Sequence, residues 1–182
     1  MKQLTIFVIL ALSFPLAAQE TRRVVVHSTG NPAQDTRPNS DQVPDVYALS
    51  GHLERIVVLR FKYNTDLLAG LQKMIKQEKI RNAVILSGFG SVRNYQIHQV
   101  GSREFPPKDA FVKNPTAFAD ITSMSGLVMD GRVHPHITLA NADKAFGGHL
   151  EPDTTVYTFA VVVLGVLDDR LDLTKIDDWT YR

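Results

Sequence analysis

Two histidines separated by one residue, His134 and His136, are the part of this sequence best suited to chemistry. In a β-strand, residues i and i+2 point to the same face with Cα atoms ~7 Å apart, so two imidazoles can reach one ion. His149 follows directly after Gly147 and Gly148. A glycine pair lets the backbone fold tightly and approach a neighbouring segment closely. The three histidines therefore predict a nitrogen-donor metal site.

Three histidine ligands suit zinc, copper, nickel or iron. The sequence contains no cysteine, which excludes zinc–thiolate sites, iron–sulfur clusters, disulfide bonds and a thiol nucleophile. Three protein ligands leave a fourth position open, as in catalytic or ligand-exchanging sites. The alternative is that these histidines are ordinary polar side chains on the wet face of a sheet.

Groups that could act beside such an ion are identified by residue type only. Arg93 could hold an anionic substrate, although a surface arginine explains it equally well. His52 and His98 are interpreted as surface or partly satisfied histidines. Three carboxylates are candidate general bases, with a solvated or turn carboxylate as the alternative for each: Asp120, Asp143 and Glu151.

The elements that must position these residues follow from hydrophobic periodicity. The pattern predicts a helix over residues 65–79, capped at Thr65-Asp66. It predicts a turn at Gly88-Phe89-Gly90 and a long loop over residues 101–116. Strands are expected at residues 46–49, 55–61, 82–87, 91–99, 118–124, 131–140 and 155–167.

One helix among many strands, without regular βα alternation, predicts an α+β fold. The expected architecture is a mainly antiparallel sheet with one principal helix packed on it. Pro135 lacks a backbone donor, so its strand must lie at an edge or pair on one side only at that residue.

The chain divides into four expected segments. Residues 1–18 combine one lysine, a short apolar run and a small-residue end, which predicts a secretory signal peptide rather than a buried N-terminal helix. Residues 19–44 are expected to be a flexible linker, apart from a short β-type run at Val24-Val25-Val26. Residues 45–175 form the expected domain, and residues 176–182 a C-terminal tail. The protein is therefore expected to be exported, periplasmic or secreted, and not an integral membrane protein after cleavage.

Charge argues against a nucleic-acid partner. The formal net charge is +1, and removal of residues 1–18 takes away one lysine and no acid, leaving zero. Nucleic-acid binders usually carry a clear basic excess or a basic stripe. DNA binding is therefore the weakest interpretation.

Residues 131–150, GRVHPHITLANADKAFGGHL, resemble the signature of the PPC domain (plants and prokaryotes conserved domain, formerly DUF296). That pattern is roughly G-x-x-H-x-H-x-x-L, a short spacer and G-G-H-L. Residues 83–92 resemble the family's strand and Ser-Gly-x-Gly-Ser-Val turn, and residues 119–126 its strand ending in Ser-x-Ser-Gly. Residues 155–163 resemble its final core strand, so the resemblance covers about residues 45–170 in the right order.

The resemblance implies an antiparallel sheet with a packed helix, a homotrimer, and a metal ion, usually taken as zinc. By that resemblance His134, His136 and His149 are the ligands. Asp120 stands where the family often has an acid, whereas a glutamate early in the last strand is missing. The sequence also lacks the Arg-Gly-Arg-Pro hook with which plant members grip DNA.

Two functions follow as expectations. The first is an exported, homotrimeric module with a three-histidine zinc site, which binds a small-molecule ligand or a protein partner. The alternative is a zinc-dependent hydrolase or lyase acting on a small molecule, for which the missing glutamate is a disadvantage. In either case Asp120 or Arg93 is a candidate for supporting a ligand or holding an anion at the site, and Gly147 and Gly148 are expected to be structural glycines there.

Overall fold

The computed structural model describes residues 22–27, 39–103, 105 and 107–182, which contain one helix and eight strands. The helix, α1, spans Leu67–Gln77. No helix among these residues is long and apolar enough to cross a membrane. The strands are β1 (Arg22–His27), β2 (Leu53–Lys62), β3 (Ala83–Val100), β4 (Lys108–Asn114), β5 (Ala119–Met129), β6 (Arg132–Ala140), β7 (Ala145–Leu150) and β8 (Thr155–Leu167).

The strand pairs are antiparallel throughout the described residues, which confirms the predicted α+β class with a mainly antiparallel sheet. Strand β3 is the centre of the topology. Its first half pairs with β5 and β8, and its second half pairs with β4 and β7. Because β5 pairs with β6 and β6 with β7, the path from β3 through these strands returns to β3. This closed circuit brings distant segments side by side.

The helix forms where the periodicity predicts it, two residues shorter at each end. The Asp66 carboxylate accepts a hydrogen bond from the Ala69 N–H at 2.8 Å, which caps its first turn. Leu67 and Leu71 are fully buried. The helix lies close against β2, since a Cβ added to Gly70 would be 2.8 Å from the Phe61 ring.

The predicted turn at Gly88-Phe89-Gly90 is wrong, because these residues lie inside the long strand β3. The glycines serve irregular pairing instead. Gly90 has φ +140°, and the register with β8 shifts between Gly90 and Val92. A Cβ at Gly90 would meet the Phe159 carbonyl oxygen at 2.3 Å. The two glycines that predicted a turn therefore mark a β-bulge in this strand.

Two further expectations about the strands are wrong. The predicted loop over residues 101–116 contains β4, in which Ala110 is buried and which pairs with both β1 and β3. Residues 46–49 form no strand, and Val46 is 87% exposed. Strand β7 was not predicted, because its two glycines are untypical of a strand.

The described residues at both ends of the chain contact the rest of the structure. The predicted signal peptide, residues 1–18, lies outside the described residues. The expected linker contains β1, which extends the sheet by pairing with β4, and this confirms the β-type run at Val24-Val25-Val26. The expected tail packs back on the domain: the Trp179 ring contacts Phe105, and the Tyr181 ring contacts Tyr47.

Candidate metal centre

Cross-strand pairing places three histidines in one row. His136 on β6 pairs with His149 on β7, and His149 pairs with His98 on β3. Directly paired residues of antiparallel strands point to the same face. The three histidines lie on the sheet face opposite to the one that carries the buried side chains of Ile97 and Leu150. The side chains of His98 and His149 are only partly exposed, at 26% and 20%, whereas His136 is exposed.

Gly147 and Gly148 allow β7 to enter this row. A Cβ at Gly147 would lie 2.3 Å from the Ile137 carbonyl oxygen on β6. A Cβ at Gly148 would lie 2.3 Å from the His98 carbonyl oxygen on β3. Any larger residue would collide with neighbouring backbone, so the two glycines permit the close approach that brings His149 between the two strands.

His134 lies two residues before His136 on β6, so both side chains are on the same face of the sheet. Its ring centroid lies 4.7 Å from that of His149 and 5.2 Å from that of His136. The Nε2 atoms of His134 and His136 are 3.1 Å apart. Two nitrogens bound to one tetrahedral zinc at ~2.0–2.1 Å are about 3.3 Å apart, so the pair has nearly the spacing of two ligands. The three histidines predicted as ligands are therefore together.

Pro135, between His134 and His136, has no backbone N–H to donate, and the strand pairing around it fits this. It pairs with Gly126 on β5, whereas the pairing of β6 with β7 begins only at His136. The sequence predicted either an edge strand or one-sided pairing at Pro135, and the second alternative is confirmed.

Two carboxylates contact the Nδ1 atoms of these histidines. Glu151 Oε1 lies 2.5 Å from His98 Nδ1 and 3.2 Å from His149 Nδ1. Asp177 Oδ2 lies 3.0 Å from His134 Nδ1. A carboxylate that accepts a hydrogen bond from Nδ1–H leaves the Nε2 lone pair of a neutral imidazole free for a metal, an arrangement common around zinc.

Burial favours the neutral form of two of the imidazoles. It lowers the pKa of His136, and the neighbouring His134 and His98 lower it further. Burial also lowers the pKa of His149, with His98 and His134 as the next causes, although Glu151 opposes the shift. Burial raises the pKa of Asp177, but hydrogen bonds from His134 and Arg132 outweigh it and hold that pKa below its usual value. Neutral imidazoles are the form that binds metal.

The site offers two overlapping donor sets. His98, His149 and Glu151 each present one donor atom within 4.8 Å of one another, and this group could hold a metal ion. The second set is the three histidines of the sequence prediction, whose donors are all nitrogens. By donor type this second set fits zinc and similar transition metals, whereas among the described residues only the first set has its three donor atoms within 4.8 Å of one another.

The structure does not bring Asp120 or Arg93 to the histidines. Asp120 pairs with Ala140, at the end of β6 away from His134, and lines a separate cleft with Tyr157. Arg93 donates hydrogen bonds to the Tyr63 hydroxyl at 2.7 Å and to Asn64 Oδ1 at 3.0 Å. The expectation that either side chain supports a ligand at the metal site is therefore wrong in position.

Sequence reasoning missed His98 and Asp177 and named Glu151 by type alone. The interpretation of His98 as a surface or partly satisfied histidine does not anticipate its place beside His149, because the pairing of β3 with β7 cannot be read from spacing. Asp177 lies in the expected tail. The position of Glu151 two residues after His149 was the one available signal, since i and i+2 share a face in a strand.

Comparison with known proteins gives both a family and a fold. The family model described as the Plants and Prokaryotes Conserved (PCC) domain matches residues 48–168. A curated relative, the bifunctional protein GlmU of a Synechococcus strain, is 28% identical over 111 residues, which are 60% of this chain. The chain spans only 17% of that relative, about a sixth of its length.

Solved structures share the fold at low sequence identity. A PPC protein from Pyrococcus horikoshii has a TM-score of 0.55 and 22% identity, covering 68% of this chain and 85% of its own. A metal-containing protein from Archaeoglobus fulgidus has a TM-score of 0.53 and 23% identity, covering 70% and 86%. A proposed DNA-binding protein from Bacteroides thetaiotaomicron has a TM-score of 0.52 and 18% identity, covering 65% and 83%.

Proposed function

This chain belongs to the plants and prokaryotes conserved domain family, and on that premise we propose that it is an exported, homotrimeric module that binds a zinc ion through His134, His136 and His149. The observation that carries the proposal is the 3.1 Å separation of the His134 and His136 Nε2 atoms, with the His149 ring beside both. The metal-containing relative from Archaeoglobus fulgidus supports it.

The residues of the site would have two roles in metal binding, as donors and as carboxylates that hold the donor rings. The three imidazoles supply the donors, Glu151 and Asp177 hold two of the rings by their Nδ1 atoms, and one coordination position stays open. The adjoining cleft, lined by His134, His136 and Ile176, has a volume of about 180 Å³. Typical small-molecule sites enclose ~300–1,000 Å³. A ligand exchanged at this position is therefore small.

The test is the metal content of the purified, untagged protein, measured by elemental mass spectrometry. We expect about one zinc ion per chain in the wild type and a loss of zinc in His134→Ala, His136→Ala and His149→Ala. His52→Ala is the matched control, because His52 lies in a different cleft with Asp168 and Arg170. A wild type that neither contains zinc nor takes it up on addition would contradict the proposal.

An exposed apolar sheet face supports the trimer. Ile56 and Val58 on β2 are 62% and 65% exposed, and Leu86 and Phe89 on β3 are about half exposed. Phe159 on β8 packs edge-on against Phe89 between these strands. Apolar patches of this kind mark contact surfaces. We assign this face to the contact between copies of the chain.

Export rests on the amino-acid pattern of residues 1–18, where a lysine, a short apolar run and Ala17-Ala18 match a signal peptide. We place the mature protein in the periplasm or outside the cell. Expression with and without residues 1–18 in a bacterial host, followed by fractionation, tests this. Retention of both forms in the cytoplasm would contradict it.

The alternative function is a zinc-dependent enzyme. The observation that favours it is the pair formed by Glu151 and His98, which lies beside His149 and could hold a proton at Oε1 or at the imidazole. A bound zinc ion would supply a bound water of lowered pKa and would polarise a carbonyl or phosphoryl oxygen. Hydrolysis of ester, phosphate or lactone substrates, present in the wild type and lost in both Glu151→Gln and His149→Ala, would favour the enzyme over the binding module.

DNA binding is the weakest proposal. It is favoured by the name of the relative from Bacteroides thetaiotaomicron, but the formal charge of +1 gives little attraction for phosphates. Titration of labelled duplex DNA at low salt tests it. Binding that weakens steeply with added salt would revive this function and argue against export.

A further inference from the structure

The segment that follows the last strand reaches the candidate metal centre. Strand β8 ends at Leu167, and the match to the family model ends at residue 168. The chain then runs through a series of turns in which Ile176 N–H donates to the Leu173 carbonyl oxygen at 3.1 Å. Asp177 therefore lies outside the family-matched region and yet contacts His134.

This segment is held in place independently of the histidines. The side-chain amide of the buried Asn82 donates to the Leu171 carbonyl oxygen at 2.7 Å. Leu173 is buried at 6% exposure. Arg132 Nη1 lies 2.6 Å from Asp177 Oδ2 and fixes the carboxylate from the side of β6. The approach of Asp177 to His134 is therefore a docked geometry, with its side chain 23% exposed.

The contact determines which nitrogen of His134 carries the hydrogen. A carboxylate only accepts hydrogen bonds, so the 3.0 Å contact requires a hydrogen on Nδ1. In a neutral imidazole the lone pair is then on Nε2. That atom is the one that faces His136 Nε2 at 3.1 Å. Asp177 itself lies on the Nδ1 side of the ring, which places it behind His134 and not among the donors.

We propose that Asp177 is a positioning residue of the metal centre, so that the segment beyond the family-matched domain completes the site by holding His134 as the Nδ1–H tautomer. This inference rests on the proposed zinc site. Without the carboxylate, the His134 hydrogen is free to occupy Nε2, and zinc binding must first displace it. The alternative is that Asp177 merely forms an ion pair with Arg132, with no effect on His134.

The test uses the full chain with Asp177→Ala, and Asp178→Ala as the matched control. Asp178 is adjacent, but its carboxylate accepts hydrogen bonds from Thr180 within the same segment. In ¹⁵N-histidine-labelled, metal-free protein, long-range ¹H–¹⁵N correlation spectra report the tautomer of each ring. We expect the Nδ1–H tautomer of His134 in the wild type and in Asp178→Ala, and a shift toward Nε2–H in Asp177→Ala.

Zinc affinity is the second readout, measured by competition with a chromophoric chelator. Loss of a carboxylate behind a histidine ligand typically weakens metal binding about 10- to 100-fold, and we expect this in Asp177→Ala but not in Asp178→Ala. Asp177→Asn keeps an oxygen acceptor without the charge, so its zinc affinity should fall between those of Asp177→Ala and Asp178→Ala. If Asp177→Ala does not fold, the zinc affinity of Asp177→Asn tests the inference in its place.

The two failures are distinguishable. A wild type that binds no zinc would overturn the proposed function and this inference with it. A wild type that binds zinc, with unchanged tautomer or unchanged affinity in Asp177→Ala, would overturn this inference alone.

Discussion

At the scale of single residues, the candidate metal centre consists of imidazoles backed by carboxylates. Glu151 faces the Nδ1 atoms of His98 and His149, and Asp177 faces that of His134. Each carboxylate leaves an Nε2 lone pair directed away from itself. In the proposed site the histidines would therefore set the metal preference, and the carboxylates would orient the imidazole rings.

Glu151→Gln should weaken zinc binding about 10- to 100-fold, because an amide holds the Nδ1–H groups less firmly than a carboxylate does. Isothermal titration of the metal-free protein with zinc measures the effect. Glu78→Gln is the matched control, since Glu78 is an exposed partner of Arg55. Equal affinities of the two variants would contradict the role assigned to Glu151.

The metal-free protein should lose stability in mild acid. The lowered pKa values of His136 and His149 mean that the folded protein binds fewer protons than the unfolded chain, in which histidine has a pKa near 6.5. Their contribution is fully present above that value and is lost as pH falls through the lowered pKa values. Urea unfolding from about pH 7.5 to about pH 5.5 should show a steeper loss for the wild type than for His149→Asn. An equal loss of unfolding free energy in the wild type and in His149→Asn would contradict this prediction.

The residues of the site were predictable only where the chain itself brings them together. His134 and His136 share a strand face, and His149 follows a glycine pair, so their association could be read from spacing. His98 comes from β3 and Asp177 from the last turns of the chain. Their positions depend on strand register and on docking of the C-terminal segment, which spacing does not encode.

At the scale of elements, β7 is the strand on which the site depends, since it lies between β6 and β3 over His149. The sequence predicted α1 and the strands around Val57, Ile121 and Val162, where apolar periodicity is strong. It did not predict β4 or β7, or the continuity of β3, because Gly and Pro are signals of turns and of close packing alike.

Gly148→Ala should destabilise the protein by about 1–3 kcal/mol, because the added methyl group collides with the His98 backbone oxygen and cannot be accommodated by a side-chain movement. It should also weaken zinc binding by displacing His149. Gly51→Ala is the control, since its methyl group would meet only the flexible Leu171 side chain at 3.2 Å. Urea unfolding measures both, and equal stability of the two variants would contradict the packing argument.

At the scale of the whole molecule, the exposed apolar face over β2, β8 and β3 predicts assembly. Val58→Lys places a charge in that face and should convert the proposed trimer to smaller species in analytical ultracentrifugation. Val100→Lys is the control, because Val100 is 72% exposed against 65% for Val58 but lies at the far end of β3. A wild type that sediments as a monomer would remove the trimer from the account.

The most direct test of the whole account is a crystal structure of the zinc-loaded protein with anomalous data collected at the zinc edge. We predict one strong anomalous peak per chain, about 2.0–2.1 Å from the Nε2 atoms of His134, His136 and His149. A peak between His98, His149 and Glu151 instead, or no peak near these side chains, would contradict the three-histidine site.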